Sequence, residues 1–243
     1  MNRLLALAPT ALALLAAVAM PAGHASAQFT DERWNQLGQG DVASPEHMVL
    51  ELFAMGPYEP AAVTETTTPA GAPLFDETGP LFQGSLQAIV LRLPELGMIT
   101  SGLRIGHASY SASAIDASSG QPAGEETTLT AWLLTPLVGL RIDALARLGV
   151  PFLLNASLGY DLVPWSSETG GREDGSGLSH GLRWAVQLGL ELDFAEPRTA
   201  RRLDEDWGIN HSFVFFELAG SQAGGAVPMG DPLSWSFGLG FVL

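Results

Sequence analysis

The sequence predicts an all-β protein, an eight-stranded antiparallel up-and-down transmembrane β-barrel, on three observations. First, the final stretch, Leu233 to Leu243, places Trp235, Phe237, Leu239, Phe241 and Leu243 on one face and Ser234, Ser236, Gly238 and Gly240 on the other, a period of two. Large apolar side chains on one face and tiny ones on the other suit lipid outside and a cramped interior inside. Second, Gly181 to Phe194 repeats the pattern: Leu182, Trp184, Val186, Leu188, Leu190, Leu192 and Phe194 alternate with Gly181, Arg183, Ala185, Gln187, Gly189, Glu191 and Asp193. A helix would place Arg183, Gln187 and Glu191 among the leucines. Third, eight such candidates occur, and the connections between them alternate between long and short, so that the long ones gather on one side of a membrane.

Length and composition bound the rest. At 243 residues the chain suits one barrel or at most two small globular domains. Asn2-Arg3, the apolar run Leu4 to Met20, Pro21 and Ala25-Ser26-Ala27 form the charged, hydrophobic and small-residue regions of a secretory signal peptide. Cleavage is expected near Ala27, leaving 1–27 as signal peptide, 28–46 as a polar periplasmic lead-in and 47–243 as the barrel. No Cys lies near that site, which excludes a lipoprotein anchor, and no later stretch approaches the ~20 apolar residues of a spanning helix. With no Cys at all, stability has to come from packing or from a closed sheet. The formal net charge is −15 and all 11 basic residues are Arg, which argues against a nucleic-acid partner.

Each strand has its own justification. Met48 to Tyr58 turns Met48, Leu50 and Leu52 outward and Glu51 into the lumen, and Gly56-Pro57 loosens its end. Glu59 to Pro80, rich in Thr, Pro, Ala and Gly, is a first extracellular loop. Ser85 to Leu93 and Met98 to Ser113 flank the tight turn Pro94-Glu95-Leu96-Gly97 and make a hairpin. Ile89, Leu91 and Leu93 are expected outside it, Val90, Arg92 and Arg104 inside. Ala114 to Glu126, rich in Ser, Gly and acid, is a second loop without strand character. Thr127 to Ile142 faces Trp132, Leu134, Val138 and Leu140 outward against Ala131, Thr135, Gly139 and Arg141, with a bulge or an early end expected at Pro136.

A helical turn within Asp143 to Val150 leads to the fifth strand, Phe152 to Val163, with Asn155, Ser157, Gly159 and Asp161 inward. Pro164 to Ser179 is a third loop, Gly181 to Phe194 the sixth strand, and Ala195 to Trp207 a short exposed helix of mixed charge. Ile209 to Leu218 is the seventh strand: keeping Glu217 from lipid turns His211, Phe213, Phe215 and Glu217 inward, but Phe213 and Phe215 would also suit lipid, which leaves its register open. Gly220 to Pro232 is the fourth loop before the terminal strand. The lumen candidates Glu51, Arg92, Arg104, Arg183, Gln187, Glu191 and Asp193 carry both signs of charge and can neutralise one another in a hydrogen-bonded plug, since eight strands leave room only for side chains.

Chemistry is sparse. His47, His107, His180 and His211 lack metal-ligand spacing, and no G-x-S-x-G, phosphate loop or dinucleotide fingerprint occurs, so no metal, cofactor or catalytic residue is expected. Asn210-His211-Ser212 with Glu217 brings together the residue types that eight-stranded lipid A deacylases use on their lipid-facing surface. In that family His and Ser are separated by one residue; here they are adjacent, and on a strand they point to opposite faces. An outer-membrane lipid-modifying hydrolase is therefore the least supported reading.

Two segments, Ser44 to Tyr58 with its Gly-Pro-Tyr end and Leu203 to Glu217 with its acidic-Trp-Gly turn before an aromatic strand, resemble a family of myxobacterial outer-membrane β-barrel proteins of unassigned function. The terminal strand resembles those that the barrel-assembly machinery reads by alternate aromatic residues, with Leu243 where Phe is usual. These likenesses imply a Gram-negative cell envelope, an outer-membrane location after cleavage, and outer-membrane lipid and the assembly machinery as partners. The expectation is a monomeric, non-enzymatic barrel with a filled lumen, structural or binding through its loops. The alternative is a secreted periplasmic β-sandwich or lipocalin-like barrel that reverses the faces and binds a small apolar ligand.

Overall fold

Strands that carry one polar and one apolar face satisfy both at once by closing into a ring, and the computed structural model has that form. It describes residues 46–54, 56–64, 81–94, 96–115 and 122–243. The expected signal peptide, nearly all of the lead-in, residues 65–80 of the first loop and residues 116–121 of the second lie outside that set. In chain order the elements are β1 (Met48–Ala54), α1 (Ala61–Thr64), β2 (Phe82–Leu93), β3 (Gly97–Ile115), β4 (Pro122–Ile142), α2 (Ala144–Arg147), β5 (Phe152–Thr169), β6 (Arg172–Glu191), α3 (Pro197–Trp207), β7 (His211–Ser221) and β8 (Ser234–Val242). Each strand pairs with the next, and the ring closes β1 antiparallel on β8 from Val49↔Val242 to Ala54↔Phe237. The end where β1 starts and β8 finishes is called the lower mouth below, the other the upper mouth.

The polarity is that of a transmembrane barrel. On β6, Gln187 is 2 % exposed and its neighbour Leu188 50 %, the reverse of a soluble sandwich or lipocalin. The interior is layered. An apolar group of Val49, Met98, Leu153, Phe213, Phe215 and Val242 fills the lower part, polar and charged residues the middle, and an apolar group including Tyr58, Tyr110, Leu129, Leu133 and Met229 the upper part. The small face of β8 follows from this packing. A Cβ at Gly240 would lie 2.0 Å from the Phe213 ring, and one at Gly238 2.4 Å from that of Phe215, so the two glycines are what admits both rings to the lumen.

Several expectations are corrected. The described residues of the second loop and nearly all of the third are strand: β3 runs to Ile115, β4 starts at Pro122, and β5 and β6 meet at the Gly170–Gly171 turn. These extensions are rich in Ala, Gly, Ser and charged residues with few large apolar ones, so the alternation that marks a half-buried strand fades while the backbone ladder continues. β1 stops at Ala54 rather than Tyr58. In β2 the register shifts between Ile89 and Leu91. Ile89 packs against the lower apolar group, and Val90 and Leu91 both face out at 56 % and 51 % exposed, opposite to the expectation for Ile89 and Val90. Pro136 causes no bulge: β4 keeps its register with β3 through Leu103↔Pro136. With β5 the pairs skip from Leu134↔Leu162 to Leu137↔Gly159 without a shift, so the missing N–H interrupts the ladder locally.

Candidate functional site: a closed lumen beneath a projecting sheet

The middle of the lumen is organised around a charge pair that crosses it. Arg104 on β3 and Glu217 on β7 stand four strands apart in a ring of eight, on opposite walls. Arg104 Nη1 donates to Glu217 Oε1 at 2.7 Å and Nη2 to Oε2 at 2.8 Å, the bidentate arrangement that makes such pairs strong and directional. Both side chains are buried. Gln187 Nε2 donates to Glu217 Oε2 at 2.8 Å, and Asn155 Nδ2 to Gln187 Oε1 at 2.9 Å, so β3, β5, β6 and β7 are tied by one network. Beside it Glu51 accepts from Ser85 Oγ at 2.7 Å and Gln87 Nε2 at 3.1 Å, while Gln87 Oε1 accepts from Thr100 at 2.6 Å. Higher up, Asp161 accepts from Thr135 Oγ1 at 2.5 Å and from Ser221, with Arg183 Nη1 at 3.6 Å.

The lower mouth has its own cluster. Asp193 Oδ2 lies 2.6 Å from His211 Nδ1, Glu46 Oε1 lies 3.2 Å from His211 Nε2, and Glu46 also pairs with Arg92. Only a doubly protonated ring donates to both carboxylates. Burial opposes ionisation of Glu46, but the hydrogen bonds and charges of His211 and Arg92 outweigh it and hold the Glu46 carboxyl down at about 2. Arg141 is buried just inside, its guanidinium 4.2 Å from the centre of the Phe213 ring, a cation–π contact.

At the upper mouth the fourth loop and the start of the first fold inward as a cap. Ala62 N donates to Pro228 O at 2.8 Å, Tyr110 Oη to Tyr58 O at 2.8 Å, and Tyr58 Oη to Met229 O. Asp231 accepts from Glu59 N at 2.8 Å and Leu233 N at 3.1 Å. Burial raises the Tyr58 phenol above its ordinary value, so it stays a neutral donor.

The structure therefore gathers Glu51, Arg104, Arg183 and Gln187 into the central lumen, buries Glu191 at the lower end of β6, and sets Arg92 and Asp193 at the lower mouth. Arg92 reaches its inward position because of the Ile89/Leu91 shift. Sequence reasoning passed over Gln83, Ser85, Gln87 and Thr100 as lumen residues, although the first three stand at alternate positions opposite Phe82, Gly84 and Leu86. Trp235, Phe237 and Leu239 are 44 to 53 % exposed on the outer face, with Phe241 and Leu243 half-buried. Ser212 Oγ donates to Asp193 at 3.2 Å, and the His211 ring turns to Asp193 and Glu46, so no Ser–His relay forms.

Above the upper mouth the wall is uneven. β3 to β6 are 19, 21, 18 and 20 residues long, whereas β1, β2, β7 and β8 are 7, 12, 11 and 9. A tilted spanning strand needs about 9–11 residues. β2 leaves β3 at Phe82↔His107, and β7 leaves β6 at Arg183↔Ser221, so β3 to β6 continue upward as a four-stranded sheet. Exposed Glu125, Glu126, Glu168, Glu173 and Asp174 surround its tip, with Arg172 among them.

No family model matches the chain, and no curated protein matches it. Among solved structures it is similar in fold to Ail, the attachment invasion locus protein of Yersinia pestis, solved in complex with the heparin analogue sucrose octasulfate, at 12 % identity and a TM-score of 0.41 over 82 % of this chain and 100 % of that one. It is also similar to Neisserial surface protein A, at 10 % identity and a TM-score of 0.40 over 84 % of this chain and 99 % of that one.

Proposed function

We propose that this chain is a small, monomeric, non-enzymatic outer-membrane barrel that conducts no solute and presents β3 to β6 as a binding platform outside the membrane. The observation that carries the reading is the Arg104–Glu217 pair joining opposite walls of a lumen that is also filled below by Phe213 and Phe215 and capped above by Tyr58 and Met229. With passage blocked at three levels, the parts left to act are the outer surface and the sheet. The acidic tip favours a neutral or basic partner over a polyanion. Delivery by a cleaved signal peptide, recognition of β8 by the assembly machinery and kinship with the myxobacterial-type barrels belong to the same proposal. Membrane fractionation with heat-modifiable gel mobility tests it: a detergent-extracted, heat-shifted species is expected, and recovery as a soluble periplasmic protein would refute it.

A further inference from the structure

The outward face of β2 to β4 has a feature that spanning alone does not require. Gly84, which faces out, pairs with Leu52 on β1 and Ile105 on β3. Its missing side chain deepens a shallow, open apolar depression, walled by Leu52, Phe82, Ile105 and Trp132. A Cβ at Gly84 would meet only the Glu51 carbonyl oxygen at 3.3 Å and Leu52 at 3.8 Å, so the hollow opens outward and no part of the described protein fills it. In hydrocarbon an unfilled groove forfeits dispersion contacts along its whole lining. A linear acyl chain restores them.

The groove leads upward to an indole. Trp132, 51 % exposed, packs edge-to-face against His107 at 4.6 Å between centroids, the kind of amphipathic pair that sits where acyl chains give way to headgroups. One step further out Ser109 pairs with Thr130, and beyond them Ser111 with Thr128, all on the same outward face. Rows on such a face are about 4.8 Å apart across strands and about 6.7 Å along them. Among the described residues none of these four hydroxyls has a hydrogen-bond partner within the protein, and the charged residues that the registers place beside them, Glu168 opposite Thr128 and Glu126 opposite Ser113, are acidic. A phosphodiester headgroup calls for a guanidinium or ammonium. A sugar, whose hydroxyls donate and accept as Ser and Thr do, matches this surface.

We propose that this face is a binding site for a glycolipid of the surrounding leaflet, with one acyl chain in the Gly84 groove, the first sugar against Trp132 and the next polar groups on Ser109, Thr130, Ser111 and Thr128. The inference rests on the membrane-spanning reading above. It adds a selected lipid, held at one place on the barrel, with the headgroup chosen by hydroxyls rather than by charge.

The test uses nanodiscs of dimyristoyl phosphatidylcholine doped with either monoglucosyl-dimyristoylglycerol or dimyristoyl phosphatidylglycerol, which share acyl chains and differ in headgroup. Heat-modifiable mobility first establishes insertion, and native mass spectrometry after extraction then reads the retained lipid. The full chain is expected to keep one glucosyl lipid in preference to phosphatidylglycerol by roughly tenfold, as two or so net hydrogen bonds allow. Ser109→Ala with Thr130→Val should abolish the preference but keep lipid retention, and Gly84→Leu, which fills the groove, should abolish retention. If Gly84→Leu does not fold, Trp132→Ala on the outer face takes its place, with the same loss expected. Equal retention of the two lipids, retention unchanged in the groove variants, or a second copy of the chain in place of lipid each overturns the inference while insertion stands. Failure to insert overturns the spanning reading with it.

Discussion

Glu217→Ala isolates the pair that closes the lumen. Glu217 is 1 % exposed and accepts from Arg104 at 2.7 and 2.8 Å and from Gln187 at 2.8 Å. Its removal strands a guanidinium that is itself buried and leaves the Gln187 amide without its acceptor. Breaking a buried ion pair from one side costs about 3–5 kcal/mol because the remaining charge is uncompensated, and the lost Gln187 bond adds about 1 kcal/mol. A total near ~4–6 kcal/mol is therefore expected in urea titrations of the protein folded into vesicles, followed by tryptophan fluorescence. The double variant Arg104→Met with Glu217→Leu should recover most of that loss, since an apolar pair of similar volume removes both desolvation penalties. A single-variant cost under ~1 kcal/mol, with no recovery in the double variant, would mean that water solvates both groups and that the lumen is open at that level.

Leu188→Arg places a cation on the lipid side of β6 and should cost about 2–4 kcal/mol in the same titration, whereas Leu192→Arg, near the lower rim, should cost about 0–1 kcal/mol; equal costs would contradict the assigned depth. Gly240→Leu drives a side chain into the Phe213 ring, where a Cβ already lies 2.0 Å away. It should destabilise by roughly 1–3 kcal/mol, with partial rescue by Phe213→Leu, and an additive double variant would refute the contact. Glu46 ionises at about 2 in the folded chain against its ordinary 4.5. Its contribution is thus fully present above about 4.5 and is lost as pH falls through about 2. Glu46→Gln should flatten the stability profile in that window, and an unchanged acid limb would exclude the cluster with His211 and Arg92.

Much of the barrel was legible because one physical constraint, lipid outside and a narrow interior, acts on every second residue. Arg183, Gln187 and Glu191 could be placed in the lumen from the leucines between them. On β7 Glu217 favoured one face, but Phe213 and Phe215 suit lipid as well as lumen, and the closed ring with its glycines on β8 decides that they point inward. Where that constraint ends, legibility ends. The extensions Pro122 to Glu126, Pro164 to Thr169 and Arg172 to Ser179 lack a regular alternation of apolar and polar residues, so their composition predicts loop where the backbone ladder continues. The β2 shift at Val90 inverted the expected faces of Ile89 and its neighbours, and with them hid Ser85 and Gln87, because a one-residue slip exchanges every face. The partners of the lumen charges were not legible either. That Arg104 meets Glu217 rather than Glu51 depends on which strands stand opposite, a property of the closed ring and not of either strand.

Single-channel recording of the purified protein in planar bilayers tests the closed lumen most directly. With Arg104 and Glu217 joined across it, Phe213 and Phe215 below and Tyr58 and Met229 above, no stable conductance steps are expected across either polarity of applied voltage. Reproducible, long-lived steps from the wild-type monomer would contradict the account.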